Sequence, residues 1–252
     1  MVSGFESFRE HFAGYEDCYT IIGGTACDIL MTDAALEFRA TKDVDMIVLL
    51  EERFPAFGQL FWSYVKAGGY RCGWKKDTAP HFYRFTEPTI AGYPTMIELF
   101  SRRPDFKLHS EDAHLTPLPI SEEVSSLSAI MLDNDYYQLM LNGRRTVQGV
   151  SVLGAEYLVL FKAKAWLDLT EKKAVGQHVN DRDLRKHRGD VFRLYSIVDP
   201  TLRIDLPEKV TEEMKLFFAE VEQAKLDVRQ YGIEDVTFAE ILMDYRRIYG
   251  LE

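Results

Sequence analysis

Asp43 and Asp45 stand two apart in the run Thr41-Lys42-Asp43-Val44-Asp45-Met46-Ile47-Val48. Along a β-strand alternate side chains share a face, so both acids would point one way and Val44 the other. Two carboxylates about 7 Å apart repel each other unless something positive lies between them. Mg2+ is a hard cation that takes oxygen ligands, commonly one or two carboxylates together with substrate phosphates. A solvated turn before a strand can also read D-x-D. The apolar run Met46–Leu50 weighs against that here, because it sets the acids at the mouth of a core strand.

Two further features bear on the same chemistry. In Ile21-Ile22-Gly23-Gly24-Thr25 a short β-prone run meets two glycines and then a helical pattern. Glycines let backbone approach a bulky anion, and a helix N-terminus offers N–H groups and a positive dipole. Gly23, Gly24 and Thr25 therefore outline a phosphate site. Glu98 interrupts the apolar run Thr95–Phe100, and acids are rarely buried alone. It pairs with a base such as Arg84, lies exposed at a sheet edge, or joins Asp43 and Asp45 in a two-metal carboxylate cluster.

The elements that must position these residues follow from periodicity. Residues 4–13 read as a short amphipathic helix and 19–22 as a strand. Thr25 to Phe38 carries Ala26, Ile29, Leu30 and Ala34 at helical spacing. A strand is expected over 40–50, a helix over 55–67, and strands over 81–86 and 95–101 that pair as a hairpin. Residues 102–125 are loop-rich. Tyr136–Leu141 and Thr146–Val152 flank Asn142-Gly143, a hairpin signal. After Gly154 the pattern is helical: about 155–170, 179–197, 208–230 and 237–248. The expected class is α/β (α+β), with a mixed sheet and flanking helices over 1–153 and a helical lobe over 154–252.

Composition sets limits. The chain has 252 residues, 46% hydrophobic and 28% charged, with a net charge of −10, as in an ordinary globular protein. No run of about 18 apolar residues marks a membrane span. Glu6, Arg9 and Glu10 stand where a signal peptide would need an apolar stretch, so a cytoplasmic location is expected. Cys18, Cys27 and Cys72 form no C-x-x-C and read as reduced structural thiols. The charge argues against non-specific nucleic-acid coating. Residues 162–193 nevertheless hold nine Lys/Arg against five Asp/Glu, a local +4.

The order Gly-Gly, helix, Thr-x-Asp-x-Asp strand, then an acid within a later apolar strand resembles the nucleotidyltransferase superfamily, which includes DNA polymerase β. The stretch Leu160–Asp168 followed by Asp183–Leu194 resembles the AbiEii/AbiGii toxin family. Together the likeness covers roughly residues 18–198. It implies that Asp43, Asp45 and Glu98 hold Mg2+ in a two-metal site, for which Mn2+ could substitute. It also matches Lys162 to a nucleotide-binding lysine, with Lys164 competing for that role, and Lys186 and Asp190 to a catalytic pair one helical turn apart. Glu98 departs from the aspartate of many relatives.

The implied reaction is transfer of a nucleoside monophosphate from an NTP to an acceptor hydroxyl, with pyrophosphate leaving. The toxin resemblance implies RNA, tRNA included, or protein as acceptor, and a cognate antitoxin as partner. The basic segment 162–193 suits RNA. Two other readings stand beside it: an antibiotic nucleotidyltransferase, which the acidic overall charge suits, and a non-catalytic nucleotide-binding module. The last helices, 208–248, read as core, with Phe217, Phe218, Val221, Ala224 and Val228 inside; Trp62, Trp74 and Trp166 read as packing.

Overall fold

The computed structural model describes residues 2–49, 54–73, 82–100, 130, 133–224 and 226–251. The β-branched and aromatic run Tyr19–Ile22 (β1) is buried along its whole length. Its neighbour Asp43–Val48 (β2) lies antiparallel to it, with Ile22 opposite Asp45. Met96–Phe100 (β5) runs parallel to β2 on the other side, and Phe82–Thr86 (β4) is antiparallel to β5. Arg71–Gly73 (β3), unexpected from sequence, closes that edge. Arg144–Val147 (β6) and Val150–Leu153 (β7) complete a mixed seven-stranded sheet in the order β3-β4-β5-β2-β1-β7-β6. The class is α/β with a mixed sheet, as the sequence pattern predicts.

The chain forms two compact units. The first comprises Met1–Ser121 and Arg144–Gly154, the second Glu122–Gly143 and Ala155–Glu252. The chain thus passes between them three times, where the sequence reading places one boundary at 153.

In the sheet unit, Phe5–His11 (α1), Gly23–Asp33 (α2) and Phe54–Gly68 (α3) accompany the strands. Phe8 and Phe12 pack with Tyr19, Phe57, Phe61 and Tyr64 in an aromatic core, Phe12 lying 4.5 Å from Phe8 between ring centroids. The second helix stops five residues short of its expected end at Phe38. Ala35 takes a left-handed φ of 57°, and Leu36 N–H turns back to the Met31 carbonyl at 2.8 Å.

The helical unit holds Asn134–Gly143 (α4), Ala155–Ala174 (α5), Asp181–Tyr195 (α6), Glu208–Gln223 (α7) and Phe238–Ile248 (α8), with a 3-10 turn at Val228–Tyr231. The expected strand at 136–141 is therefore a helix. Tyr136, Leu139, Met140 and Gly143 are buried at helical spacing. Asp133 caps the helix, its Oδ1 accepting from the N–H groups of Asp135 and Tyr136 at 2.9 and 3.3 Å. The hairpin forms instead at Gln148-Gly149, whose φ values of 50° and 79° belong to a type I′ turn.

In that unit Phe217, Phe218, Val221 and Val228 are core as expected, whereas Ala224, at the C-cap of α7, is exposed. Cys18 and Cys27 are buried. The loop-rich stretch 102–125 and Trp74 lie outside the described residues. Among the described residues no helix is long and apolar enough to cross a membrane.

Candidate functional site

Asp43 and Asp45 occupy the first half of β2, both half-exposed, with Val44 between them wholly buried. The alternation expected of a strand is therefore realised: two acids on one face, an apolar residue on the other. Met46, Ile47 and Val48 then carry the strand into the core.

The ladder extends this acidic row sideways. Ile22 of β1, Asp45 of β2, Glu98 of β5 and Arg84 of β4 are successive register partners. Partners in a ladder present their side chains to the same face, so Asp45, Glu98 and Arg84 stand side by side. Glu98 is 4% exposed. Arg84 Nε and Nη2 both donate to Glu98 Oε1, at 2.7 and 2.6 Å. Burial pushes the Glu98 carboxyl above the usual carboxylate range. The Asp43 charge adds to that rise, while Arg84 and a hydrogen bond with Asp45 oppose it.

β1 runs directly into α2, which brings backbone N–H groups to the same row. Gly23 has a left-handed φ of 67°, and a Cβ built there would overlap Asp45 Oδ2. Only glycine satisfies both the backbone conformation and this close approach. A Cβ on Gly24 would meet Thr41 Oγ1 at 2.7 Å and an Arg39 guanidinium nitrogen at 3.5 Å. Arg39 also lies over the Phe38 ring, 5.1 Å from its centroid. Thr25 is buried, and its hydroxyl donates to the Asp43 carbonyl at 2.5 Å. Its side chain thus locks the start of α2 to the start of β2. Cys27 Sγ donates to the Gly23 carbonyl at 3.2 Å and braces the same turn.

The expected site residues Gly23, Gly24, Thr25, Asp43, Asp45 and Glu98 therefore converge at one end of the sheet unit. Arg39 was not anticipated: it lies in an exposed stretch with no motif of its own. Thr41 was visible only as the first letter of Thr-x-Asp-x-Asp, and Arg84 only as a partner for Glu98.

The four residues expected from the helical half lie in the second unit and form two separate constellations there. Lys162 Nζ meets Asp190 Oδ2 at 3.0 Å, with the side chains 4% and 0% exposed. Arg193 Nη1 approaches the other oxygen at 3.5 Å. This pair ties α5 to α6. Lys186, half-buried, sits one turn before Asp190 on α6.

Lys164 is two residues from Lys162, hence about 200° away around the helix. Its Nζ bonds Asp168 Oδ1 at 2.7 Å and Glu213 Oε1 at 3.0 Å. Glu213 Oε2 in turn accepts from the Tyr136 hydroxyl at 2.7 Å, joining α4, α5 and α7. Burial alone would lower the Lys164 pKa, but these two carboxylates raise it above the ordinary lysine value. Glu213 and Tyr136 carried no signal in the sequence, because nothing in their spacing announces a long-range partner.

The geometry fits a hard divalent cation in part. Asp43 and Asp45 present half-exposed carboxylate oxygens beside a helix N-terminus, which suits a metal that arrives with a phosphate. Glu98 is already engaged by Arg84. Among the described residues no three His, Cys, Asp or Glu side chains are grouped so as to hold a metal ion.

No protein-family model matches the chain, and no curated protein matches it. Among solved structures the chain is similar to an antigenic nucleotidyltransferase-like protein from Paracoccidioides brasiliensis. The identity is 16% and the TM-score 0.46, over 95% of this chain and 98% of that one. It is also similar to the antibiotic-resistance factor ANT(2'')-Ia, with 11% identity and a TM-score of 0.37, over 88% and 91% of the two chains.

Proposed function

We propose that this chain is a Mg2+-dependent nucleotidyltransferase that moves a nucleoside monophosphate from an NTP to an acceptor hydroxyl. The observation that carries the reading is the meeting of Asp45 with Gly23: a carboxylate suited to a cation lies against the glycine turn that opens α2. Cation-binding oxygens and an anion-binding helix end at one place suit a metal–triphosphate pair.

Each residue has a defined part. The Gly23-Gly24 backbone receives the phosphates. Asp43 and Asp45 hold Mg2+, which when bound would neutralise triphosphate charge and polarise the phosphoryl group under attack. Thr25 keeps β2 and α2 in register by its bond to the Asp43 carbonyl. Arg39 and Thr41, beside Gly24, add a cation and a hydroxyl where the phosphate tail would lie. Phosphoryl transfer asks chiefly for such positioning and charge neutralisation.

The acceptor we propose is RNA, with the chain acting as the toxin-type member of a toxin–antitoxin pair. The support is the likeness of residues 160–194 to the AbiEii/AbiGii pattern and the local +4 of 162–193. The test is transfer of label from each α-32P-labelled NTP to total RNA and to protein. Labelled RNA that disappears with Asp43→Ala/Asp45→Ala is expected. Transfer that persists in that double variant would overturn the assignment.

A further inference from the structure

The acidic row contains a permanent cation. Arg84 is the register partner of Glu98, which is the register partner of Asp45. Two guanidinium nitrogens converge on a single oxygen of Glu98, and the pair is nearly enclosed, with side chains 15% and 6% exposed. We infer that Arg84 takes, on Glu98, the place a second divalent cation would fill, so that the site handles its triphosphate with one metal ion on Asp43 and Asp45. This inference rests on the nucleotidyltransferase reading and refines it.

Three observations carry it. Charge is the first. Arg84 offsets the charge of Glu98, so of the three acids only Asp43 and Asp45 are left for a metal ion to balance. Room is the second. Mg2+ demands octahedral geometry and sheds water reluctantly. Glu98, 4% exposed and flanked in register by both Asp45 and Arg84, offers no open side for a hydrated ion. Donor chemistry is the third. The guanidinium keeps its charge at every physiological pH and fixes a carboxylate through directed N–H groups. A cation already in permanent residence makes Glu98 a positioning residue: it holds Arg84 beside Asp45 rather than binding metal.

The experiment counts metal ions. The full-length chain is mixed with an equimolar α,β-methylene NTP analogue, Mn2+ is titrated in, and free Mn2+ is read by electron paramagnetic resonance. One Mn2+ per wild-type chain is expected. Asp43→Asn should weaken its binding at least tenfold. Arg84→Gln, confirmed as folded by circular dichroism, releases Glu98 and should raise the count to two. The wild-type count stands even where a variant fails to fold. Two Mn2+ per wild-type chain would overturn the single-metal site and leave the nucleotidyltransferase reading in place. No binding of Mn2+ or analogue to the wild-type chain would overturn both.

Discussion

Replacing Lys162 by Met separates a structural lysine from a nucleotide-binding one. Lys162 and Asp190 form an ion pair with almost no solvent exposure. Removing one partner of such a pair leaves a buried charge unmatched and typically costs about 3–5 kcal/mol. Arg193 remains 3.5 Å from the other Asp190 oxygen, so the lower end applies, about 3 kcal/mol. For a chain of this size each kcal/mol moves Tm by about 2–4 °C, which gives a fall of roughly 6–12 °C. The double variant Lys162→Met/Asp190→Leu replaces both charges by apolar groups and should lie within about 1 kcal/mol of the wild type. Thermal melts followed by circular dichroism measure both, with nucleotide calorimetry on the same samples. A Lys162→Met protein that melts like wild type yet binds no nucleotide would refute the structural role and return Lys162 to the phosphates.

Other outcomes follow from the sheet unit. Gly23→Ala forces a left-handed residue to carry a Cβ into Asp45. It should cost about 1–3 kcal/mol and weaken nucleotide binding at least tenfold, read by melts and calorimetry. Thr25→Val removes the hydroxyl from the Asp43 carbonyl; a loss of about 1–3 kcal/mol is expected, and an unchanged Tm would show that the bond does not hold the register. Burial raises the Glu98 carboxyl above its unfolded value, so the folded state binds that proton more tightly than the unfolded one. Stability should therefore fall as pH rises from the ordinary carboxylate range through the folded pKa. Glu98→Gln should flatten that slope in melts between pH 4 and 8, and an unaltered slope would assign it to other groups.

The residues of the candidate site were legible because their constraints are local. Asp43 and Asp45 obey strand alternation, and Gly23 announces itself as a glycine between a strand and a helix. What the sequence concealed depends on distant partners. Glu98 admits two readings until β4 is seen beside β5, because register across a sheet is not written in either strand alone. Lys164 has an acid one turn ahead on its own helix, Asp168, but only packing between helices decides that Lys162 meets Asp190 and Lys164 meets Glu213. The strand expected at 136–141 shows a local signal overruled. Asn142-Gly143 favours a hairpin, but the burial of Tyr136, Leu139 and Met140 at helical spacing and the Asp133 cap outweigh it. The hairpin forms six residues later, where Gln148-Gly149 supplies the two left-handed residues such a turn requires.

The most direct test of the central claim is isothermal calorimetry of the wild-type chain and of Asp43→Asn/Asp45→Asn. It is run with ATP, CTP, GTP and UTP, each with and without Mg2+. The site described here predicts binding of at least one NTP by the wild type that requires Mg2+ and is lost in the double variant. Absence of binding to all four with Mg2+ present, or binding equally strong without the two aspartates, would contradict it.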